Sequence, residues 1–266
     1  MAAPARTKFR MGYASSKRAF EQPLDILELN LQNSRKEKAR PKAWVAWSSG
    51  KDSAWALHNV WREHEFDVVG LFTTVNRTHS RVAMHAVRES LLEIQAAATG
   101  LPLVKVPIPS PCSNEVYEQA MEAAMARARE EGVRHIIFGD LFLEDIRAYR
   151  EKQLAKCGMI PVFPLWLRDT RLLAERMIAG GLSAILTCVD PRRLDRSFAG
   201  RRFDHELLAA LPREVDPCGE NGEFHTFASA GPMFRPAIPV TVGEIVEREG
   251  FIFADLLPQT AAERSV

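Results

Sequence analysis

Four cysteines in 266 residues, Cys112, Cys157, Cys188 and Cys218, are few and scattered, and no two of them form a C-x-x-C pair. That spacing argues against a zinc ribbon or an iron–sulfur cluster and favours reduced thiols in a cytoplasmic protein. No stretch approaches the roughly 18 consecutive apolar residues of a membrane helix, so no bilayer-spanning segment is expected. Charge of one sign is lacking too. Lys and Arg number 35 against 34 Asp and Glu, a formal +1, which leaves little whole-molecule attraction for nucleic acid. Internal repeats and low-complexity tracts are also missing.

What is present is the balance of an ordinary globular protein, 46% hydrophobic and 26% charged, long enough for one α/β domain with an appended subdomain. The basic surplus sits at the amino terminus, where residues 1–40 hold nine Lys/Arg against four Asp/Glu. The first twenty residues contain no acid, faintly like an organelle transit peptide, and lack the apolar core of a secretory signal. A variable or disordered extension over 1–40 is the preferred reading.

From residue 43 short apolar runs alternate with segments of helical period, the pattern of βαβ units and a parallel sheet. Strands are expected at Ala43–Trp47, Asp67–Val75, Pro102–Val106, Arg134–Phe138 and Ser183–Val189. Helices are expected over Ser53–Glu65, Glu115–Glu131 and Leu141–Lys156. The stripe Ala56, Leu57, Val60 and Trp61, and the Ala/Met repeat of the second helix, read as core. A subdomain boundary is expected near residue 140, and the Pro-rich run VPIPSPC places Cys112 and Asn114 at the carboxyl edge of a strand, where open α/β sheets hold ligands.

The strand AWVAW runs straight into Ser48, Ser49, Gly50, Lys51, Asp52 and Ser53 and then into a helix. Unpaired N–H groups and the positive end of the helix dipole favour an anion there, Gly50 permits close approach, and Lys51 adds a mobile cation. A polyphosphate cradle is the functional reading, and a helix-capping turn is the plain structural one. The common nucleoside triphosphatase loop is excluded, because Val45 and Asp52 stand where it requires Gly and Ser or Thr.

Two further constellations follow. Gly139 and Asp140 end the fourth strand, where a carboxylate is placed to hold Mg²⁺ or a substrate group; the charged helix after them reads mostly as solvated i,i+4 pairs such as Arg147 with Glu151. Further on, Asp216, Cys218, Glu220, Asn221, Glu223, His225 and Thr226 crowd around Gly219 and Gly222, a density of polar groups hard to explain as packing, although an ordinary exposed turn has a similar composition.

The loop SSGKDS resembles the S-G-G-x-D-S signature of PP-loop ATP pyrophosphatases, with Ser49 in place of the first Gly, a change expected to be tolerated if that residue keeps negative φ. Together with the GD and PLW segments and GENGEFHTF, in this order over about residues 43–235, it resembles the adenine nucleotide α hydrolase-like family that includes diphthine ammonia ligase. That resemblance implies a doubly wound, five-stranded parallel α/β sheet that binds the nucleotide and a smaller carboxyl-terminal region that closes over the acceptor; with the boundary near 140, the chain is expected to divide into a nucleotide-binding domain over 41–140, an acceptor subdomain over 141–240 and a tail over 241–266. The resemblance implies ATP and Mg²⁺ as cofactors, cleavage between the α and β phosphates, adenylation of a small-molecule or protein-borne carboxylate, and ammonia as the nitrogen donor. Ser48, Ser49, Gly50, Lys51, Asp52, Ser53 and Gly139 would bind the nucleotide, with Asp52 and Asp140 as metal ligands. Lys51, Asp52, Asp140, Glu223 and His225 would carry catalysis, and Cys112, Asn114, Glu220, Asn221 and Thr226 would face the acceptor. His225 replaces a carboxylate of the ligase pattern, and GENGEFHT looks like the bacterial branch, for which a part in corrinoid salvage has been suggested, so the acceptor is expected to differ from diphthine. A homodimer is open. The rival readings are a nucleotide-binding regulatory module without turnover and a tRNA-modifying PP-loop enzyme.

Overall fold

A computed structural model describes residues 39–76, 81–82, 87–109 and 111–259. The amino-terminal extension expected over 1–40 lies outside these residues except for its last two, as do residues 260–266.

The strand AWVAW is apolar at every position and becomes β1 (Lys42–Ala46), whose residues 43–45 are fully buried. Such a run suits a strand covered on both faces. Successive side chains point to opposite faces: Ala43 and Val45 join one core, and Trp44 joins a second built with Phe72, Met125 and Ile136. Around β1 lie β2 (Asp67–Asn76), β4 (Leu103–Ile108), β5 (His135–Ile137) and β6 (Ile160–Val162), all parallel, in the order β4-β2-β1-β5-β6. A two-residue strand, β3 (Arg81–Val82), adds an antiparallel pair at the end of β2. The order reverses between β1 and β5, because chain connections run outward from β1 in one direction and then in the other. At such a switch point the loops leaving the two central strands diverge and open a crevice.

Helices cover both faces. The first, α1 (Lys51–Glu63), buries Ala56, Leu57 and Val60 and ends at His64, whose left-handed φ of 55° returns its N–H to the Val60 carbonyl. Next come α2 (Glu89–Thr99), α3 (Asn114–Glu130) and α4 (Glu144–Lys156). The Ser113 hydroxyl caps α3 by accepting from the Val116 N–H. On α4 only Leu154 is buried, and Arg147 donates to Glu151 at 2.7 Å, the expected pair on a solvated face.

Beyond α5 (Thr170–Ala179) a second sheet begins with β7 (Ser183–Val189). Its partners are antiparallel: β8 (Phe224–Ala230) on one side and β10 (Phe251–Pro258) on the other, with β9 (Val240–Arg248) outermost. This corrects the expectation that Ser183–Val189 is the fifth strand of the parallel sheet. An apolar run of seven residues suits any buried strand, and its composition carries no information about partner direction. The fifth parallel strand is Ile160–Val162, three residues long with Pro161 at its centre, tolerated because the strand lies at a sheet edge. The first sheet therefore continues to Val162, beyond the boundary expected near 140, and the expected tail contributes the β9–β10 hairpin. Between β7 and β8 lie a single 3-10 turn, Arg196–Phe198, and α6 (His205–Ala210). No helix among the described residues is long and apolar enough to cross a membrane.

Candidate active site

The turn from β1 to α1 sits at the switch point and is fixed mainly through its backbone. Ser49 adopts φ 66°, against the expectation of negative φ. A left-handed conformation costs a non-glycine residue about 1–2 kcal/mol, and here two hydrogen bonds to the Ser49 carbonyl, from Gln95 Nε2 at 3.0 Å and the Ala228 N–H at 2.9 Å, hold it. The Gly50 N–H donates to Ser48 Oγ at 3.3 Å, Ser48 Oγ lies 3.1 Å from Ser53 Oγ, and the Lys51 N–H donates to Thr226 Oγ1 at 3.1 Å. Gly139, at the end of β5, packs directly on the first turn of α1. A Cβ there would lie 2.7–2.9 Å from backbone atoms of Asp52 and Ser53, so the close approach of the two loops requires glycine.

Lys51 differs from its expected role as a mobile cation. It is 2% exposed, and its ammonium donates to Asp52 Oδ2 at 2.9 Å and to the Cys218 carbonyl, between the rings of Phe203 and Phe224 at 5.5 and 5.4 Å. Burial works against its charge, but Asp52 and the surrounding acceptors outweigh that, so its pKa lies above the ordinary lysine value. The side chain joins the turn to the second sheet.

Above this turn opens a cavity of about 540 Å³, within the size range of small-molecule sites. Ser48, Gly50, Lys51, Asp52 and Ser53 form one wall, and Gly139 and Asp140 form another. Thr73 and Thr74 at the end of β2, with Tyr117, Met121 and Met125 of α3, complete the apolar side. The Ala/Met repeat on α3 thus serves the cavity as well as the core. Asp140 is engaged by Arg150, whose Nε lies 2.8 Å from Oδ2 and whose guanidinium covers the Phe138 ring at 4.3 Å. Asp52 keeps one buried oxygen, Oδ1, without a hydrogen-bond partner.

The polar turn 216–226 enters from the second sheet. Asp216 Oδ2 accepts from the N–H groups of Cys218 and Glu220, at 3.1 and 3.0 Å, and Glu223 Oε1 accepts from the Asp216 N–H and from Asn221 Nδ2, both at 3.1 Å. These bonds hold the loop in shape. Glu223 is 1% exposed and lies beneath the turn rather than on the cavity wall; Asn221, Ser49, Cys112 and Asn114 are not on that wall either. Glu220, His225 and Thr226 are. Glu220 Oε1 accepts from the Leu141 N–H at 2.7 Å, joining the turn to the end of β5, and burial pushes its carboxyl up to about 7. Burial, with Lys51 nearby, holds His225 down to about 4, so its imidazole is neutral at pH 7. All four cysteines are free thiols, and burial raises Cys188 to about 12 and Cys218 further. Among the described residues no group of three or more His, Cys, Asp or Glu forms a metal-binding cluster.

Sequence reasoning passed over Gln95, Tyr117 and Arg150. Each lies on a helix face whose pattern reads as core or as solvated charge, and only the tertiary packing brings them to the turn or the cavity.

Comparison with known proteins divides the chain at the same seam as the two sheets. Residues 41–161 match the family model described as the diphthamide synthase N-terminal domain, and residues 169–255 match the diphthamide synthase C-terminal domain. A diphthine–ammonia ligase of Bos taurus is 26% identical over 191 residues, 66% of this chain and 70% of that protein. Its counterpart in Danio rerio is 28% identical over 185 residues, 63% of this chain and 72% of the relative. That of Schizosaccharomyces pombe is 33% identical over 101 residues, covering 36% of this chain and 17% of a much longer protein. With both domain models matched in order and the PP-loop turn at the head of the first, the chain belongs to the diphthamide synthase family.

Proposed function

We propose that this protein is an ATP-dependent ligase that cleaves ATP between its α and β phosphates, forms an acyl adenylate on a carboxylate acceptor and releases the product as an amide with ammonia as nitrogen donor. The observation that carries the reading is the β1–α1 turn: the amino end of a buried helix, flanked by the hydroxyls of Ser48 and Ser53 and pressed against Gly139, opens into a cavity at the switch point of the sheet. Helix amides and hydroxyls in that position favour a polyphosphate. The relatives' names support ligation, since each is called a diphthine–ammonia ligase.

In this reading Ser48, Gly50 and Ser53 hold the pyrophosphate portion, and the apolar wall from Met121 and Met125 keeps water from the acyl adenylate. Glu220, with a carboxyl near neutrality, is the group suited to take a proton from the attacking amine. His225 is neutral and lines the cavity, and Glu223 accepts from the Asp216 N–H and Asn221 within the turn, so in this reading neither takes the catalytic role that the resemblance implies. The donor set fits a nucleotide-borne Mg²⁺, which needs only one or two carboxylates beside phosphate oxygens. Asp52 has an oxygen to spare, whereas Asp140 would first have to release Arg150. When bound, the ion would neutralise charge on the leaving pyrophosphate.

The test is product analysis by phosphorus NMR, with a panel of carboxylates and ammonium, alongside ATP/pyrophosphate exchange. AMP and pyrophosphate in equal amounts are expected; ADP with inorganic phosphate would refute the cleavage site, and ATP left unchanged across the panel would favour a regulatory nucleotide-binding module.

A further inference from the structure

Gln95 lies on α2, a helix to which the sequence assigns no part in the site, and it is 0% exposed. Its carboxamide makes three hydrogen bonds. Oε1 accepts from Trp47 Nε1 at 3.0 Å, while Nε2 donates to the carbonyls of Ser49 and Ala228 at 3.0 and 2.6 Å. The orientation of the amide is dictated by its partners, because an indole N–H can only donate and backbone carbonyls can only accept.

A trans peptide unit is a rigid plate whose C=O and N–H point in opposite directions. Drawing the Ser49 carbonyl inward to Gln95 and Ala228 therefore aims the N–H of the same plate, that of Gly50, the other way. It meets Ser48 Oγ at 3.3 Å, on the cavity wall. Were the plate to turn over, a carbonyl oxygen would stand where the donor now is, and the local field would oppose an anion instead of attracting it. Ser49 itself sits at φ 66°, which a serine left to itself avoids, so local preference does not hold the turn together. The orientation depends on the groups that grip its oxygen.

We infer that Gln95 is a positioning residue for the phosphate loop, locking the Ser49–Gly50 peptide so that it presents a donor, and not a carbonyl, to the pyrophosphate portion of the nucleotide. Gln95 touches no ligand itself. The inference rests on the nucleotide reading above and deepens it by naming the group that sets the polarity of the cradle.

The test compares binding of inorganic pyrophosphate with binding of adenosine, which has no phosphate, on the full chain by ligand-observed NMR and calorimetry. Gln95→Met keeps most of the volume and removes both donors. It is expected to weaken pyrophosphate at least tenfold and to leave adenosine within about twofold; Gln95→Glu, which sets an acceptor against two carbonyls, should lose more. A folded Gln95→Met protein that binds pyrophosphate like the wild type overturns the inference, as does an equal loss of both ligands, which would mark a general packing role. If Gln95→Met does not melt cooperatively, Trp47→Phe decides, since it removes the donor that pins the amide while keeping an aromatic ring in the core, and the adenosine control reads the effect of the lost ring volume on the cavity. About threefold weaker pyrophosphate binding with adenosine unchanged supports the inference, and unchanged pyrophosphate binding overturns it. A wild-type chain that binds neither ligand brings down the nucleotide reading itself, and the inference with it.

Discussion

The two walls of the cavity are made in different ways. At the β1–α1 turn the wall from the first sheet is built largely of backbone and small side chains, Ser48, Gly50, Ser53 and Gly139, beside Asp52 and Asp140, and keeps polar groups facing the cavity. The wall from the second sheet is a turn crowded with carboxylates, yet Asp216 and Glu223 are engaged with the turn's own amides, and of its carboxylates Glu220 alone lines the cavity, beside His225 and Thr226. Richness in polar residues therefore misleads as a measure of function: a loop of irregular backbone needs internal acceptors merely to exist, whereas a helix amino terminus brings donors without needing any charged residue.

The sharpest way to break this comparison is at Lys51, which joins the two walls. Lys51→Ala should cost about 3–5 kcal/mol, the usual penalty for leaving one member of a buried ion pair alone, read as a fall in the urea midpoint. An unchanged midpoint with lost nucleotide binding would return Lys51 to the role of phosphate ligand. Next in size is a pH effect at His225. Its folded pKa is about 4 against an unfolded value of 6.5, so below pH 6.5 the unfolded chain takes up a proton that the folded one refuses. Stability present above 6.5 is lost as the pH falls toward 4, by on the order of 3 kcal/mol. His225→Asn should remove that part of the difference between stability curves at pH 7 and pH 4.5, and curves that stay parallel to the wild type would show that the imidazole is not shielded. Gly139→Ala follows, at about 1–3 kcal/mol for overpacking against the first turn of α1, with at least tenfold weaker ATP binding; normal affinity would mean that the turn tolerates displacement. Smallest is Glu223→Gln. One carboxylate oxygen already lacks a partner, so the change should cost under about 1 kcal/mol and leave steady-state turnover within a few fold, while a collapse in turnover with stability intact would put Glu223 among the reacting groups.

The same contrast explains what could be read in the sequence. The placement of the β1–α1 turn was legible because it follows from adjacency: strand, small residues, helix, within a dozen positions. The sign of φ at Ser49 was not, because it is set by Gln95 and Ala228, 46 residues downstream and beyond. Four of the five parallel strands announce themselves as apolar runs, even the three-residue His135–Ile137, which Phe138 extends. Ile160–Val162 does not, because a proline stands at its centre. The hairpin of β9 and β10 was taken for a tail because β9 is mostly half-buried or exposed and its alternation is correspondingly faint. Within GENGEFHT, the residues give no hint that Glu220 faces the cavity while Glu223 turns away. That outcome depends on where Gly219 and Gly222, both at positive φ, send the chain.

The hydrogen bond from the Lys51 amide to Thr226 spans 175 residues, and the Ser49 carbonyl waits on Ala228. During synthesis, then, the cavity stays unfinished until the ribosome has released the chain well past that point. The turn after β1 completes its hydrogen bonds only with the arrival of β8, so under the proposed function a half-made chain would hold no finished nucleotide site.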